Sequence, residues 1–400
     1  MLGSHRFAEG VAISDAHAAL RARGIQPSEA PIDALPRIEI SDVGQVMMAT
    51  GDGSEEAGQD PMLDFLRILH GEEDLFYSSS RLGKRPTTAM LLTHIANLAV
   101  MADRFGCVPC VAMYLKEKDV FHLVDSRTRV KGMAKTGEES PRQKILVGWV
   151  FDVSDWFFAS SVRLVIGGSS QWTVALEGLV DPDQRGLWWH LPDDVEAELL
   201  YRRERILDVL NSLQMHFIGL YTSRERQCKL GYDSSPQCDS FQLGEMIRFF
   251  TRVDTIKMQG KLTPDAIAEE DAELDGHTGD IERLIVTMRQ CPSYQIDRNH
   301  THCGIRTKLI PALDYIQALV ICESGLCRQC WVDDRANYRW SEREPAGHWT
   351  FRRNATATTP ASSSSATGAK GQSKERPCKS GHRIARALFT ASTRDWNPKP

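Results

Sequence analysis

The chain has 400 residues, ten of them cysteine, with 42% hydrophobic and 25% charged residues and a formal net charge of −5 at pH 7. That is ordinary globular composition, enough for a sizeable core and for two or three domains. It excludes a fibrous or wholly disordered chain, and the interspersed charges of both signs give no global field for nucleic acid or an anionic membrane.

The opening "MLGSHRFAEGVAISDAHAAL" lacks the apolar core and cleavage site of a secretory leader. No run of about 18 apolar residues occurs. The most apolar stretch, "AMLLTHIANLAVMADRF", is broken by His94, Asn97, Asp103 and Arg104. The expectation is an intracellular protein, nuclear or cytoplasmic, with no membrane partner. Its cysteines are then reduced, and metal binding or burial accounts for them better than disulfides.

Residues 11–36 are Ala-rich and polar, with Pro27, Pro31 and Pro36, and read as a disordered insert. "RIEI" (37–40) is a short strand candidate, and 41–59, with "GDGSEEAGQ", is a second, acidic insert. "DPMLDFLRILHG" (60–71) predicts a helix: Asp60 caps, Pro61 suits the first position, Met62, Leu63, Leu66, Ile68 and Leu69 recur near helical period, and Gly71 stops it. Residues 86–106 repeat the pattern with Thr87 or Thr88 as cap, and 107–120 form a third, short helix. Residues 123–140 are charged and loop-like. Residues 141–172 give two helices with a polar hinge near Asp152–Asp155.

The segment 191–231 carries the strongest helical signal, with Leu199, Ile206, Leu210, Leu213 and Phe217 at three- and four-residue spacing and acidic first turns, as the macrodipole favours. Further helices are predicted over 241–254, 279–291 and 305–331, the last with Pro311 near its start. From Trp331 the character shifts, and 355–382 is a Ser/Thr/Ala-rich run that buries too little apolar area to order itself.

"DPMLDFLRILHG" followed by "LLTHIANLAVMADRFGCVPCVAMYL" resembles the second half of a BTB/POZ domain. The resemblance narrows to fungal BTB-domain-containing proteins through "RQKILVGWVF", "LYTSRERQCKLGYDSSPQCDSFQLGEM" and "CPSYQIDRNHTHCG", and covers about 60–115 and 142–320. "MLGSHRFAEG" is similar to a helix end inside that domain and "RIEI" to the strand after it, which implies a chain that begins partway through the fold. The resemblance implies a protein–protein interaction module, often homo-oligomeric, working in a cullin-type ubiquitin ligase or a transcription complex. The expected fold class is mainly α: a partial BTB-like α/β module over 1–120 with disordered inserts at 11–36 and 41–59, a linker over 121–140, an irregular helical domain over 141–330, and a low-complexity, largely disordered tail over 331–400.

"CPSYQIDRNHTHCG" (291–304) gathers two cysteines and two histidines in fourteen positions. Zinc takes four thiolate or imidazole ligands in a tetrahedron. His302 and Cys303 are adjacent and rarely serve one ion together, whereas His300 and Cys303 are three apart. Cys228 and Cys238 lie on the turn-rich "CKLGYDSSPQC". The candidate ligand set is Cys228, Cys238, Cys291, His300 and Cys303, a structural zinc tying two loops. Burial of thiols and imidazoles in packed loops is the competing account. A Cys–His nucleophile needs an oriented base and an oxyanion site that nothing here specifies.

"CESGLCRQC" reproduces with Cys322, Cys327 and Cys330 a C-x₄-C-x₂-C iron–sulfur spacing, but the only downstream thiol is Cys378, inside the Ser-rich run. "CVPC" (107–110) lacks the preceding strand of a redox motif and reads as packing. The aromatic residues Trp149, Phe151, Trp156, Phe157 and Phe158 read as helix-hairpin core. No glycine loop has the context of a phosphate cradle. The sequence thus predicts a non-enzymatic interaction protein of adaptor or scaffold type with no cofactor, and as alternative a zinc-stabilised Cys/His module associated with nucleic acid.

Overall fold

The structure, a computed structural model, describes residues 8–26, 29–31, 34, 61–71, 87–130, 137–172, 186–192, 194–231, 233, 235–256, 279–342, 346–352 and 379–399. They belong to two units, 1–157 with 176–192, and 158–175 with 193–400. The described residues are mainly helical. Among them no helix is long and apolar enough to cross a membrane.

The first unit is built round α3 (Thr88–Arg104), which starts where the Thr87 hydroxyl accepts from the Met90 amide at 3.2 Å. Leu91, Leu92, Ile95, Ala96, Leu98, Ala99, Met101 and Ala102 are all buried, so the helix is apolar round most of its circumference, as a central helix must be. α2 (Pro61–Leu69), α4 (Val108–Glu117), α5 (Val120–Val130) and α6 (Glu139–Val150) supply Phe65, Ile68, Val111, Leu115, Val120, Val124 and Val147 to the same core. Cys107 is buried there too, its thiol donating to the Phe105 carbonyl at 3.3 Å. Fully buried Arg142 donates to Glu138 at 2.7 Å and to the Trp189 carbonyl at 2.9 Å, and stacks over the Trp189 ring. That contact anchors 186–192 in this unit. Asp125 accepts from Lys144 and from the Trp156 indole, both at 2.9 Å. The aromatic residues Phe151, Trp156 and Phe157 are buried, as hairpin core requires.

Two stretches differ from expectation. Residues 11–22 of the expected insert belong to α1 (Ala8–Ala22), because the Ala-rich run precedes the first of the prolines that mark the segment. Part of the expected 121–140 linker is α5, whose Val120 and Val124 are one helical turn apart and fully buried. The strand candidate 37–40 and the acidic insert 41–59 lie outside the described residues. Among the described residues of this unit no strand occurs.

The helix Ser154–Gly167 (α7) belongs to the first unit as far as Phe157 and to the second from Phe158. The second unit centres on α8 (Val195–Thr222), which buries Leu199, Ile206, Val209, Leu210, Leu213 and Phe217. Around it lie α9 (Ser235–Arg252), α10 (Ile281–Arg289) and α11 (Arg306–Glu323), followed by α12 (Arg328–Asp333) and α13 (Arg335–Tyr338). Asp280 caps α10 by accepting from the Arg283 amide at 3.0 Å.

The expected tail from 331 is structured at both ends. α12 and α13 fill its start; β1 (Ala346–Arg352) pairs in parallel with β2 (Ala391–Lys399), and α14 (Lys379–Phe389) precedes β2. Two strands alone are marginal. Here Trp349 and Phe351 pack on Tyr315 of α11 and on Trp396, with Trp349 and Trp396 centroids 5.1 Å apart. α14 buries Ala385, Leu388 and Phe389, an apolar stripe that the Ser-rich composition upstream conceals.

Candidate metal centre

The segment from Cys291 to Gly304 joins α10 to α11. Asp297 opens its single 3₁₀ turn, Arg298–His300, and accepts from the Asn299 amide at 2.8 Å. The other duty of that carboxylate is to hold His300 Nδ1, also at 2.8 Å. The His300 carbonyl accepts from the Cys303 amide at 3.2 Å, so one turn sets both the imidazole and the thiol. His300 is fully buried.

Facing this turn is the loop between α8 and α9. Asp239 in α9 accepts from the amides of Gln227 and Cys228, both at 2.9 Å, and folds the loop back on the helix that carries Cys238. The Ser235 hydroxyl lies 3.4 Å from Cys228 Sγ. Gln242 of α9 donates to the Tyr294 carbonyl and Tyr221 of α8 to the Cys303 carbonyl, both at 2.9 Å. Two long helices thereby hold the 291–304 segment.

The outcome is convergence of three thiols. The Sγ atoms of Cys228, Cys238 and Cys303 all lie within 4.8 Å of one another. Cys228 and Cys303 are 3.7 Å apart. A tetrahedron with metal–sulfur bonds of about 2.3 Å has edges of about 3.8 Å. Cys228 and Cys238 are buried and Cys303 half-buried.

The three thiols act on one another electrostatically. Burial pushes the Cys228 thiol up, but the Ser235 hydroxyl, the Leu230 backbone and the other two thiols outweigh it and bring it below the usual range. Cys238 is pushed up by burial and then by Cys303, and Cys303 by burial and then by Cys228. One negative charge is tolerated and further ones are opposed. A divalent cation lifts that opposition and deprotonates coordinating thiols outright. His300 is drawn up chiefly by its hydrogen bond to Asp297, with burial opposing and Cys228 adding to the rise. Its Nδ1 is taken by a carboxylate, as where an outer carboxylate orients a metal-binding imidazole.

Of the five candidate ligands, the structure brings Cys228, Cys238 and Cys303 together; His300 lies outside that group, and Cys228 acts on its ring electrostatically. Cys291 stands apart: its thiol faces the Pro292 carbonyl at 3.7 Å, and burial pushes it up to about 11 with Arg306 opposing. His302 is exposed. The raised Cys303 thiol is the reverse of what a nucleophilic cysteine requires. The supporting residues Asp297, Asp239, Ser235 and Tyr221 belong to no motif that the sequence marks. The spacing Asp297-x-x-His300 was the signal available for the first of them.

In comparisons with known proteins, no family model, no curated protein and no solved structure matches the chain.

Proposed function

We propose that this chain is a non-enzymatic interaction protein whose second unit is stapled by a structural zinc ion held by Cys228, Cys238, Cys303 and His300. The observation that carries this reading is the convergence of three thiols from a loop, a helix and the 291–304 segment, which also carries a carboxylate-held imidazole three residues before Cys303. Four protein ligands close a zinc site, whereas catalytic zinc keeps one position for water or substrate. The ion would supply positive charge that neutralises the thiolates and fixes residues 223–231 against the 291–304 segment. What the staple presents is a helical surface for other proteins.

The first unit carries the interaction role that BTB-like helices imply. Leu63 and Leu66, one turn apart on α2, are 44% and 45% exposed, and Met90 and Met113 are 52% and 58% exposed. Apolar side chains left in water on neighbouring helices suit docking on another protein.

Metal analysis of the purified full chain tests the staple. Bound zinc that Cys238→Ser loses supports it; a folded wild-type chain free of metal overturns it. Sedimentation tests the homo-oligomer. Self-association abolished by Leu63→Glu/Leu66→Glu supports it, and a monomer at all concentrations removes it.

A further inference from the structure

A second Cys/His grouping lies in the second unit, away from the staple's residues. We propose that Cys327, Cys330 and His382 form a second zinc site, which clamps α14 to the turn between α11 and α12. Their ligand atoms all lie within 4.8 Å of one another. Cys327 and Cys330 have the C-x₂-C spacing of zinc knuckles, in which both thiolates of one turn reach one ion. All three residues are half-buried.

The surroundings are built to hold these donors. Tyr338 Oη accepts from the Cys327 amide at 2.7 Å and donates to the Gly325 carbonyl at 3.1 Å. Arg202, fully buried, donates to the Gly325 carbonyl at 2.7 Å and is paired at 2.8 Å with fully buried Glu198. Glu198 in turn accepts from the Trp340 amide at 2.8 Å. The turn that carries Cys327 is thus fixed from α8 before any metal arrives.

His382 is aimed in the manner of a ligand. Its Nδ1 lies 2.9 Å from Glu323 Oε2, at the end of α11. Its Nε2 is buried and its ring packs edge-on against Tyr338 at 5.2 Å. The Cys327 thiol lies within 4.8 Å of the ring nitrogen that serves the group. A carboxylate on one nitrogen and a thiol at the ring again make the carboxylate–histidine–metal arrangement. Gly381 allows the approach: a Cβ there would stand 2.1 Å from Glu323 Oε1. Any side chain at 381 pushes that carboxylate off His382.

The ligand class follows from the donors. Two thiolates and an imidazole prefer zinc among the common divalent ions, while oxygen-seeking magnesium and calcium are excluded by the same set. The inference stands on residues separate from the staple, and the tests separate the two. Native full-chain protein is alkylated with and without a zinc chelator, and each cysteine is read by mass spectrometry. Protection of Cys327 and Cys330 that is released by chelator is the expected result. Thiols that alkylate freely before chelation, or that are released by reductant and not by chelator, overturn the site. In metal analysis Cys330→Ser loses one equivalent of zinc while Cys228, Cys238 and Cys303 keep their protection, and an unchanged zinc content overturns the proposal. Glu323→Gln, which keeps the fold, weakens zinc at this site by about 10–100-fold in chelator competition. Unaltered affinity in that variant removes Glu323 as the group that orients His382.

Discussion

The two Cys/His clusters of the second unit reach similar chemistry by opposite construction. Cys228, Cys238 and Cys303 come from a loop, a helix and the end of a 3₁₀ turn, and two of the three are buried. Cys327 and Cys330 share one short turn, and only His382 is brought from afar. In the first cluster the protein closes round the ligands, so the metal would hold the fold together. In the second, the fold already holds the turn through Arg202, Glu198 and Tyr338, so the metal would fasten a C-terminal helix to a finished surface. A closed site with distant ligands couples metal to folding; a local one couples it to docking of one element.

The sharpest way to break this contrast is to remove one ligand from each. Structural zinc binding is worth about 10–16 kcal/mol in zinc-finger peptides, against a total stability of about 5–15 kcal/mol for a domain. Cys238→Ser is therefore expected to leave the second unit largely unfolded, read as lost helical circular dichroism and rapid proteolysis of 193–400. Cys330→Ser is expected to leave the core of that unit folded and to expose only 379–399 to protease. Equal damage from the two variants would erase the distinction.

A second experiment asks whether the half-buried cluster rests on its scaffold. Arg202 and Glu198 are both fully buried, and removing one partner of such a pair strands a charge, at a cost of about 3–5 kcal/mol. Arg202→Ala is expected to lower the urea stability of the second unit by that amount. It should also speed alkylation of Cys327 without touching Cys228, Cys238 or Cys303. Arg202→Lys does not rescue, because the guanidinium also lies over Tyr338 and Trp340, 4.9 and 4.6 Å from the ring centroids. Milder still is Asp297→Asn. It leaves His300 in place but withdraws the orienting charge, so zinc at the buried cluster weakens by about 10–100-fold in chelator competition while the other cluster is unchanged.

The clusters also differ in how far the sequence exposes them. Cys228, Cys238, His300 and Cys303 stand out as residue types in two turn-rich stretches, yet no spacing rule selects Cys303 over Cys291. What separates them is tertiary: Tyr221 and Gln242 draw 294–304 toward α8 and α9, and Arg306 holds the carbonyls of Arg289 and Cys291 on the other side. The second cluster is half legible. "CRQC" is plain, but His382 adjoins a Ser-rich run whose composition argues against order, and only the stripe Ala385, Leu388, Phe389 announces a helix there. For the fold, α2, α3, α6, α7 and α8 follow from caps and apolar period. α1, α5 and the β1–β2 pair do not, because polar or proline-bearing surroundings mask short apolar repeats whose burial depends on distant partners.

The first unit supplies the reference against which acid effects on the clusters are judged. Thiolate ligands compete with protons, so acid would strip a metal held by the second unit, and its stability would fall with it. In the first unit the acid-sensitive group is Asp64, 3.3 Å from His94 Nε2 and 3.2 Å from Arg67. Burial raises this carboxyl, but His94 and then Arg67 outweigh burial and hold it below the usual carboxylate range. With the folded value below the unfolded value of about 3.9, the unfolded chain binds the proton first. Asp64 therefore stabilises the unit above that pH, and the contribution is lost as pH falls through the folded value. Asp64→Asn is expected to cost about 1–2 kcal/mol at neutral pH, the size of a hydrogen bond to a charged group, and nothing once both forms are protonated. Amide exchange along α3 measures it, since those amides report on the first unit whatever the metal does in the second. A variant difference that persists unchanged into strong acid would assign the loss to packing of α2 and not to the ion pair.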